Sequence, residues 1–372
     1  MKFTVEKNLI QTAISTASRA AAVKSAVPAL EGLLVEAADN NIKISGYDLK
    51  TGISTTVQAD VLQEGNMVLN ARLFGEIIRK LPDNIVTVSA DDNYMTKISC
   101  GMSDFQVLGT PANDYPDLPA VDYQNSLKIT GKNLKNMIAQ TNFAVSDNES
   151  RPIHTGALFE AENGVLTVVA VDGYRLALRR EMLSVSAETS VNFVVPGTAL
   201  GEVEKILTDS EEDVSILLGT KHIIFVIGGT VLISRRLEGE FLNYKNSIPH
   251  TEKYSIDADR RALVDAVERV SLIISDKLKS PVRCIFSDGV IRFMSNTALG
   301  RASDECPVKG DGENMEIGFN NRYLLDALKA APSDQVRINI TSGITPCIIV
   351  PADGSNNFLY MILPVRLKAN ES

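Results

Sequence analysis

The side chains able to do chemistry are few and widely spaced. Histidine occurs only as His154, His222 and His250, and none stands in an HExxH pair or beside paired cysteines. No metal-ligand spacing is therefore legible. The four cysteines, Cys100, Cys284, Cys306 and Cys347, contain no CxxC pair. That usage predicts reduced thiols in a cytosolic protein. There is no GxSxG elbow and no Walker-type GxxxxGKS/T loop. Gly228-Gly229 leads into a strand pattern rather than a helix, so it reads as a turn and not a phosphate loop. The acid pairs Glu211-Glu212 and Asp91-Asp92 fall in turn-like segments and read as solvated loop charge. No catalytic set, metal or cofactor emerges, and a binding or scaffolding role leads over an enzyme.

One basic residue stands apart. Arg175 follows the corner of Gly164 to Arg180, GVLTVVAVDGYRLALRR. Val165, Val168 and Ala170 mark one arm, Leu176 and Leu178 the other. Period-two alternation about Asp172-Gly173 predicts a hairpin, with Arg175 just past the tip, where a surface site would sit.

The elements around this hairpin repeat. Phe3-Thr-Val-Glu precedes a helical pattern from Asn8 to Arg19, with Leu9, Ile10, Ala13, Ile14 and Ala17 on one face. Leu127-Lys-Ile-Thr precedes a second, Lys132 to Ala144, with Leu134, Met137 and Ile138. Tyr254-Ser-Ile-Asp precedes a third, Arg260 to Ile273, with Leu263, Val264, Val267 and Val270. A second strand–turn–helix element also recurs: LFGEIIRKLPDN (73–84), ALGEVEKILTDS (199–210) and YLLDALKAAPSD (323–334). Pro82 and Pro332 stop two of these helices. The hairpin is the third repeated element. Its corners, Asp48, Asp172 and Asn296, recur at equal steps of 124 residues. Self-similarity of this kind predicts three α+β domains of about 120 residues, at 1–121, 122–249 and 250–372, each with two helices and antiparallel strands.

Composition narrows the function. The 372 residues are 44% hydrophobic, enough for several cores, and the net charge is −9 from 37 basic and 46 acidic residues. That excludes a tight, charge-driven grip on nucleic acid. Basic residues nevertheless gather on or just before the repeated helices, among them Lys24, Arg72, Arg79, Lys80, Lys132, Arg260 and Arg322. Such faces suit loose, sequence-independent phosphate contact. No apolar run reaches membrane-span length, and MKFTVEKNLI has no signal-peptide core. The expectation is a soluble, cytoplasmic protein.

These residues resemble a known family. MKFTVEK, NARLFGEIIRKLPD, TPANDYPDLP, VAVDGYRLA, MEIGFNNRYLLDAL and YMILPVRL, in that order along the whole chain, are similar to the bacterial DNA sliding clamp, the beta subunit of DNA polymerase III. The resemblance implies a head-to-tail homodimeric ring of three-domain subunits, helices lining the central hole and sheets forming the rim. It implies no catalysis and no cofactor. The partners would be double-stranded DNA, a second copy, the replicative polymerase, the clamp loader, and repair polymerases and mismatch-repair proteins bearing short linear motifs, with a place in the cytoplasm at the nucleoid. In this body the negative charge is sensible: topology rather than affinity holds the DNA, and a dimer would carry twice −9, or −18.

By the same resemblance, Lys24, Arg72, Asn148, Pro152 and Ile153 would face DNA. Phe105 would meet Leu272 and Ile273 of a second copy. A peptide pocket would be built from His154, Val171, Gly173, Tyr174, Arg175 and Leu176; from Leu242, Asn246 and Ser247; from Leu278, Asn320, Tyr323, Ile344 and Pro346; and from Met361, Ile362, Leu363, Pro364, Val365, Arg366 and Leu367. The chain departs from the family pattern in places. Val171 replaces a common hydroxyl residue, His154 stands where an aliphatic residue is usual, and Pro152-Ile153 stand where some members carry aromatics. Lys368 to Ser372 extend past the usual terminus and would lie near the pocket, and the polar loop Ser146 to Arg151 is expected to be mobile. Two other readings are a repeat-built enzyme of enolpyruvyl-transferase-like type, which needs converging Lys, Arg and acidic residues, and a scaffold that never meets DNA.

Overall fold

The computed structural model describes residues 1–120, 122–185, 190–249, 251–275 and 280–367. Among them are six α-helices: α1 (Lys7–Ala17), α2 (Ala71–Lys80), α3 (Gly131–Ala139), α4 (Gly197–Ile206), α5 (Arg260–Ser271) and α6 (Asn321–Ala330). They fall in the three predicted pairs. The second helix of each pair starts two residues before the repeated sequences suggest, because the turn supplies the cap. Asn70 accepts a hydrogen bond from Leu73 N at 2.9 Å, and Asn320 accepts one from Arg322 N at 3.0 Å, which satisfies otherwise orphaned amides. α2 and α6 end where Leu81 and Ala331 turn extended, with ψ of 153° and 125°. Each precedes a proline, whose ring disfavours helical backbone in the residue before it.

The burial of the helices follows the periodicity with one correction. Ile10, Ala13, Ile14 and Ala17 of α1 are buried, but Leu9 is exposed. In α5, Leu263, Val264, Val267 and Val270 are buried as the spacing requires.

The chain forms two compact units. The first comprises Met1–Lys132, Ser184–Glu188 and Glu202–Arg236. It holds a five-stranded sheet in the order Asp60–Gln63, Lys2–Glu6, Ile85–Ala90, Met95–Cys100, Ser103–Leu108. Its eight-stranded sheet runs Tyr123–Thr130, Asp213–Gly219, His222–Ile227, Thr230–Arg235, Thr51–Gln58, Asn41–Tyr47, Gly32–Ala38, Gly65–Asn70. Phe3, Leu33, Ile42, Phe74 and Ile78 are central to one of its apolar cores.

The second unit comprises Asn133–Leu183, Thr189–Gly201 and Leu237–Ser372. Its twelve-stranded sheet runs Val191–Pro196, Gly156–Glu162, Val165–Val171, Arg175–Met182, Phe358–Ile362, Cys347–Pro351, Gln335–Ile340, Tyr254–Asp259, Gly300–Lys309, Val290–Thr297, Val282–Ser287, Met315–Phe319. All pairings in the three sheets are antiparallel among the described residues. The hairpin thus sits mid-sheet, and its second arm pairs with the C-terminal strand, Leu176 opposite Met361.

The three hairpin corners are not identical. Asp48 Oδ1 accepts from Lys50 N and Thr51 N, and Asp172 Oδ1 accepts from Tyr174 N and Arg175 N. These are the same side-chain-closed turn. The third copy departs from it: Asn296 pairs with Arg301 inside the ladder, and Thr297 takes the corner, its hydroxyl accepting from Leu299 N. The third hairpin is therefore longer, and Asn296 is a strand residue.

Candidate functional site

The tip of the middle hairpin is built around Arg175. The turn Asp172-Gly173-Tyr174 places Gly173 at φ +92°, a left-handed backbone that glycine adopts without strain. Arg175 leaves this turn pointing inward. Its side chain is only 9% exposed, and its donors are spent inside the unit. Nε donates to Asp172 Oδ2 at 2.9 Å, Nη1 to Asp326 Oδ2 at 2.6 Å and Nη2 to the Phe143 carbonyl at 2.6 Å. The guanidinium also lies over the Tyr323 ring at 4.4 Å and the Phe143 ring at 5.3 Å. The sequence expectation of a surface basic site is thus corrected. A buried cation needs paired acceptors, and Arg175 has two carboxylates and a carbonyl.

The next residues form an apolar floor. Val171 and Leu176 face each other across the hairpin and are buried with Leu158, Val169, Leu178, Tyr244, Ile348 and Met361. Ile153 and Phe241 pack against this cluster. His154 lies edge-on to Phe241 with ring centroids 5.3 Å apart. Burial, then the nearby Arg151 charge, hold its imidazole below the ordinary value.

The rim comes from three further segments. Tyr174 is exposed and stacks on Tyr323 at 6.2 Å. Burial, then Asp172, push the Tyr323 phenol up. Asn320 caps the helix that carries Tyr323 rather than reaching outward. Beyond Ile362 the chain crosses as a strap: Leu363 N donates to the Tyr174 carbonyl and Val365 N to the Gly318 carbonyl, both at 2.8 Å. Leu363, Pro364, Val365, Arg366 and Leu367, with Glu316, Gly343 and Ile344, line an open groove of about 720 Å³. Ile344 is exposed, and Pro346 is partly buried just before the strand Cys347–Pro351. Leu242 and Asn246 are exposed on the connecting segment, and Ser247 ends the short helix Tyr244–Ser247. Tyr244 is pinned through its hydroxyl to Glu160, and burial, then that hydrogen bond, push its phenol up. Leu278 and the segment Lys368 to Ser372 lie outside the described residues. The second unit therefore brings together most of the residues expected at the pocket, as an apolar cluster, an aromatic pair and a strap, of which the strap lines the open groove. Such a lining suits apolar side chains anchored by a few polar contacts.

Asp326, Phe143, Phe241 and Gly318 were missed in sequence. Asp326 carried a signal: it lies one turn beyond Tyr323, so both project from the same side of α6. Phe143 contributes through its carbonyl and ring, which no motif marks.

The residues expected at DNA divide between the units. Lys24 and Arg72 are exposed in the first, Arg72 with its Nε 3.1 Å from Glu76 Oε1. Arg72 and Arg79 border a groove of about 610 Å³ between α1 and α2. Asn148 and Pro152 are exposed in the second unit, whereas Ile153 packs on the apolar cluster. The loop Ser146 to Arg151 carries short-range hydrogen bonds from its main-chain amides. Ser146 N donates to the His154 carbonyl at 2.8 Å, Asn148 N to Ser146 Oγ at 3.1 Å, and Ser150 N to Asn148 Oδ1 at 3.0 Å.

Two strands bear on the expected joint between copies. Phe105, 39% exposed, lies on Ser103–Leu108, an edge strand of the first unit's smaller sheet. In the second unit, Gly300 to Pro307 pair with Val290–Thr297, but on the other side of that strand, among the described residues, only Val308 and Lys309 have ladder partners. Leu272, 83% exposed, and the partly buried Ile273 follow α5, which packs on that strand.

Comparisons with known proteins agree along the chain. Family models described as the N-terminal, central and C-terminal domains of the DNA polymerase III beta subunit match residues 1–119, 128–243 and 245–366. The beta sliding clamp of Staphylococcus aureus is 31% identical over 376 aligned positions, covering 98% of this chain and 99% of the relative. The crystal structure of a DNA polymerase III beta subunit from Eubacterium rectale superposes with a TM-score of 0.93 at 32% identity. It covers 99% of this chain and 100% of that one. The Bacillus subtilis DNA polymerase sliding clamp gives 0.94 at 31% identity with the same coverage. The chain belongs to the DNA polymerase III beta subunit family, the bacterial sliding clamps.

Proposed function

We infer that this protein is a replicative sliding clamp, a non-catalytic subunit that encircles duplex DNA and tethers the DNA polymerase for processive synthesis. The observation that carries this reading is the succession of three clamp domains, matched end to end by the family models. Family membership and two open strand edges among the described residues support a ring of two copies. Ser103–Leu108 of one protomer would continue the sheet of Gly300–Lys309 in its partner, with Phe105 against Leu272 and Ile273. A two-fold axis makes two such heterologous joints and closes the assembly. Lys24, Arg72, Asn148, Pro152 and Ile153 are the proposed DNA-facing set, supported in the first unit by the exposed arginines beside the α1–α2 groove. Weak phosphate contact on a body of charge −9 favours sliding over gripping.

The pocket of the second unit is the proposed dock for short linear motifs of the polymerase, the clamp loader, repair polymerases and mismatch-repair proteins. Affinities near micromolar, about −8 kcal/mol, suit partners that must exchange. A place in the cytoplasm at the nucleoid goes with this role; no helix among the described residues is long and apolar enough to cross a membrane. The enolpyruvyl-transferase-like and DNA-free readings are not favoured by the family membership. The deciding experiment loads the protein onto a nicked circular DNA with its clamp loader and then linearises the circle. Release on cutting is expected; retention on linear DNA with free ends would overturn the reading.

A further inference from the structure

The pocket combines two parts of the chain that the family assigns to different domains. The floor residues Val171 and Leu176 belong to the central domain, and Tyr323 on α6 belongs to the C-terminal domain. At the base they are joined by main-chain pairing of Arg175–Arg179 with Phe358–Ile362. That ladder runs on to the tip through Leu363 N on the Tyr174 carbonyl, and Tyr360 Oη donates to the carbonyl of Ala330, the last residue of α6, far from Tyr323 at its start. The tip is held by Arg175, and three separate elements converge on its guanidinium: the turn through Asp172, α6 through Asp326, and the short helix Asn142–Ala144 through the Phe143 carbonyl. Of these acceptors, only Asp326 brings in the C-terminal domain. The same guanidinium carries the Tyr323 ring at 4.4 Å, and Tyr323 in turn carries Tyr174.

We propose that Asp326 is a positioning residue of the partner-binding pocket. Through Arg175 it sets the separation between the floor at Val171 and Leu176 and the rim at Tyr323, and so selects partners by the spacing of their apolar anchors. This rests on the pocket reading of the preceding subsection. Asp326 acts through its Oδ2, which faces Arg175. Asp172 remains to neutralise the arginine when the Asp326 charge is removed, so the variant leaves no isolated buried cation. What is lost is the charge-assisted hydrogen bond that pulls α6 toward the tip. An arginine suits the junction because its planar fork offers several directed donors and two stackable faces, which a lysine ammonium does not.

The test uses the full-length dimer and two probes. One is the replicative polymerase of the same cell, whose motif must reach both floor and rim. The other is a capped leucyl-phenylalanine dipeptide, too short to span them, followed by NMR titration of the apolar floor. Asp326→Asn is expected to weaken polymerase binding on the order of tenfold while leaving the dipeptide unchanged. Asp326→Glu, which keeps the acceptor charge, is expected to restore most of the loss. Unaltered polymerase binding in Asp326→Asn overturns the proposal, and so does an equal loss for both probes, which would mark a general structural defect. Arg175→Lys gives an independent arm with the same expected split. Failure of the unmodified protein to bind the polymerase would instead overturn the pocket reading itself.

Discussion

Thr55 and Thr230 share a buried hydroxyl hydrogen bond of 3.1 Å where the strand Thr51–Gln58 pairs with Thr230–Arg235. This is the seam between the N-terminal and central clamp domains, and the Thr56 amide reinforces it by donating to the Gly229 carbonyl at 3.0 Å. Replacing one threonine by valine leaves the other hydroxyl dry and unpaired, at a cost of about 1–3 kcal/mol. Replacing both removes the orphan and should be nearly neutral. A double-mutant cycle by chemical denaturation measures this; simple additivity of the two losses would show that the hydroxyls do not depend on each other.

Gly318 leaves room for the C-terminal strap. A Cβ there would stand 2.6 Å from Leu367 Cδ2 and 2.8 Å from the Val365 carbonyl oxygen. Gly318→Val should therefore unclip Val365 to Leu367 and weaken binding of polymerase motifs, while dimerisation is unchanged. Faster carboxypeptidase trimming of the terminus reports the release directly. A trimming rate equal to that of the unmodified protein would show that the strap stays in place.

Acid should loosen the fold in a defined window. His154 and His222 both titrate below their ordinary value of 6.5, chiefly through burial, with Arg151 near the first and Arg235 and Lys221 near the second. The unfolded chain therefore binds more protons just below pH 6.5. The stabilisation is complete above that value, is lost as pH falls through it toward the lowered native values, and then levels off. Denaturant titrations between about pH 7.5 and pH 5 should show this slope, because that range brackets histidine and stays above most carboxylates. Changing both histidines to glutamine should flatten it; an unchanged slope would assign the effect to other groups.

Phe105 should matter to assembly and not to folding, since it is exposed on an edge strand of a single protomer. Phe105→Ala is expected to raise the dimer dissociation constant by roughly 10–100-fold, the loss typical of a central apolar anchor. Sedimentation equilibrium at matched concentrations reads this. An unaltered dimer would remove the Ser103–Leu108 edge from the proposed joint.

Much of the architecture was legible because it is repetitive. Strand–helix units recur with buried positions at helical spacing, and prolines mark two helix ends, so periodicity and punctuation placed the helices, except that α3 stops at Ala139 rather than at the expected Ala144. The third hairpin corner was misplaced because equal spacing does not fix ladder length; only pairing to Arg301 shows that Asn296 is inside the strand. Leu9 looked like part of the α1 face because a helical pattern gives the angle of a residue but not the width of the surface that covers it. The site was half legible. Its apolar residues stood out in the motifs, but the inward turn of Arg175 depends on Asp326, 151 residues away in sequence. Local pattern carries no information about such a partner.

The ladder between Arg175–Arg179 and Phe358–Ile362 also has a mechanical meaning. An enzyme leashed at the hairpin tip, as proposed, would drag the clamp as it advances, and the tension would enter next to Tyr174 and Leu363. A pull along these strands loads their hydrogen bonds together, so weak bonds resist as a group. A pull across them strains the outermost bond first and peels the joint one pair at a time. The toughness of the leash is therefore a matter of direction, and the angle at which a partner hangs from the tip decides how much drag the clamp withstands.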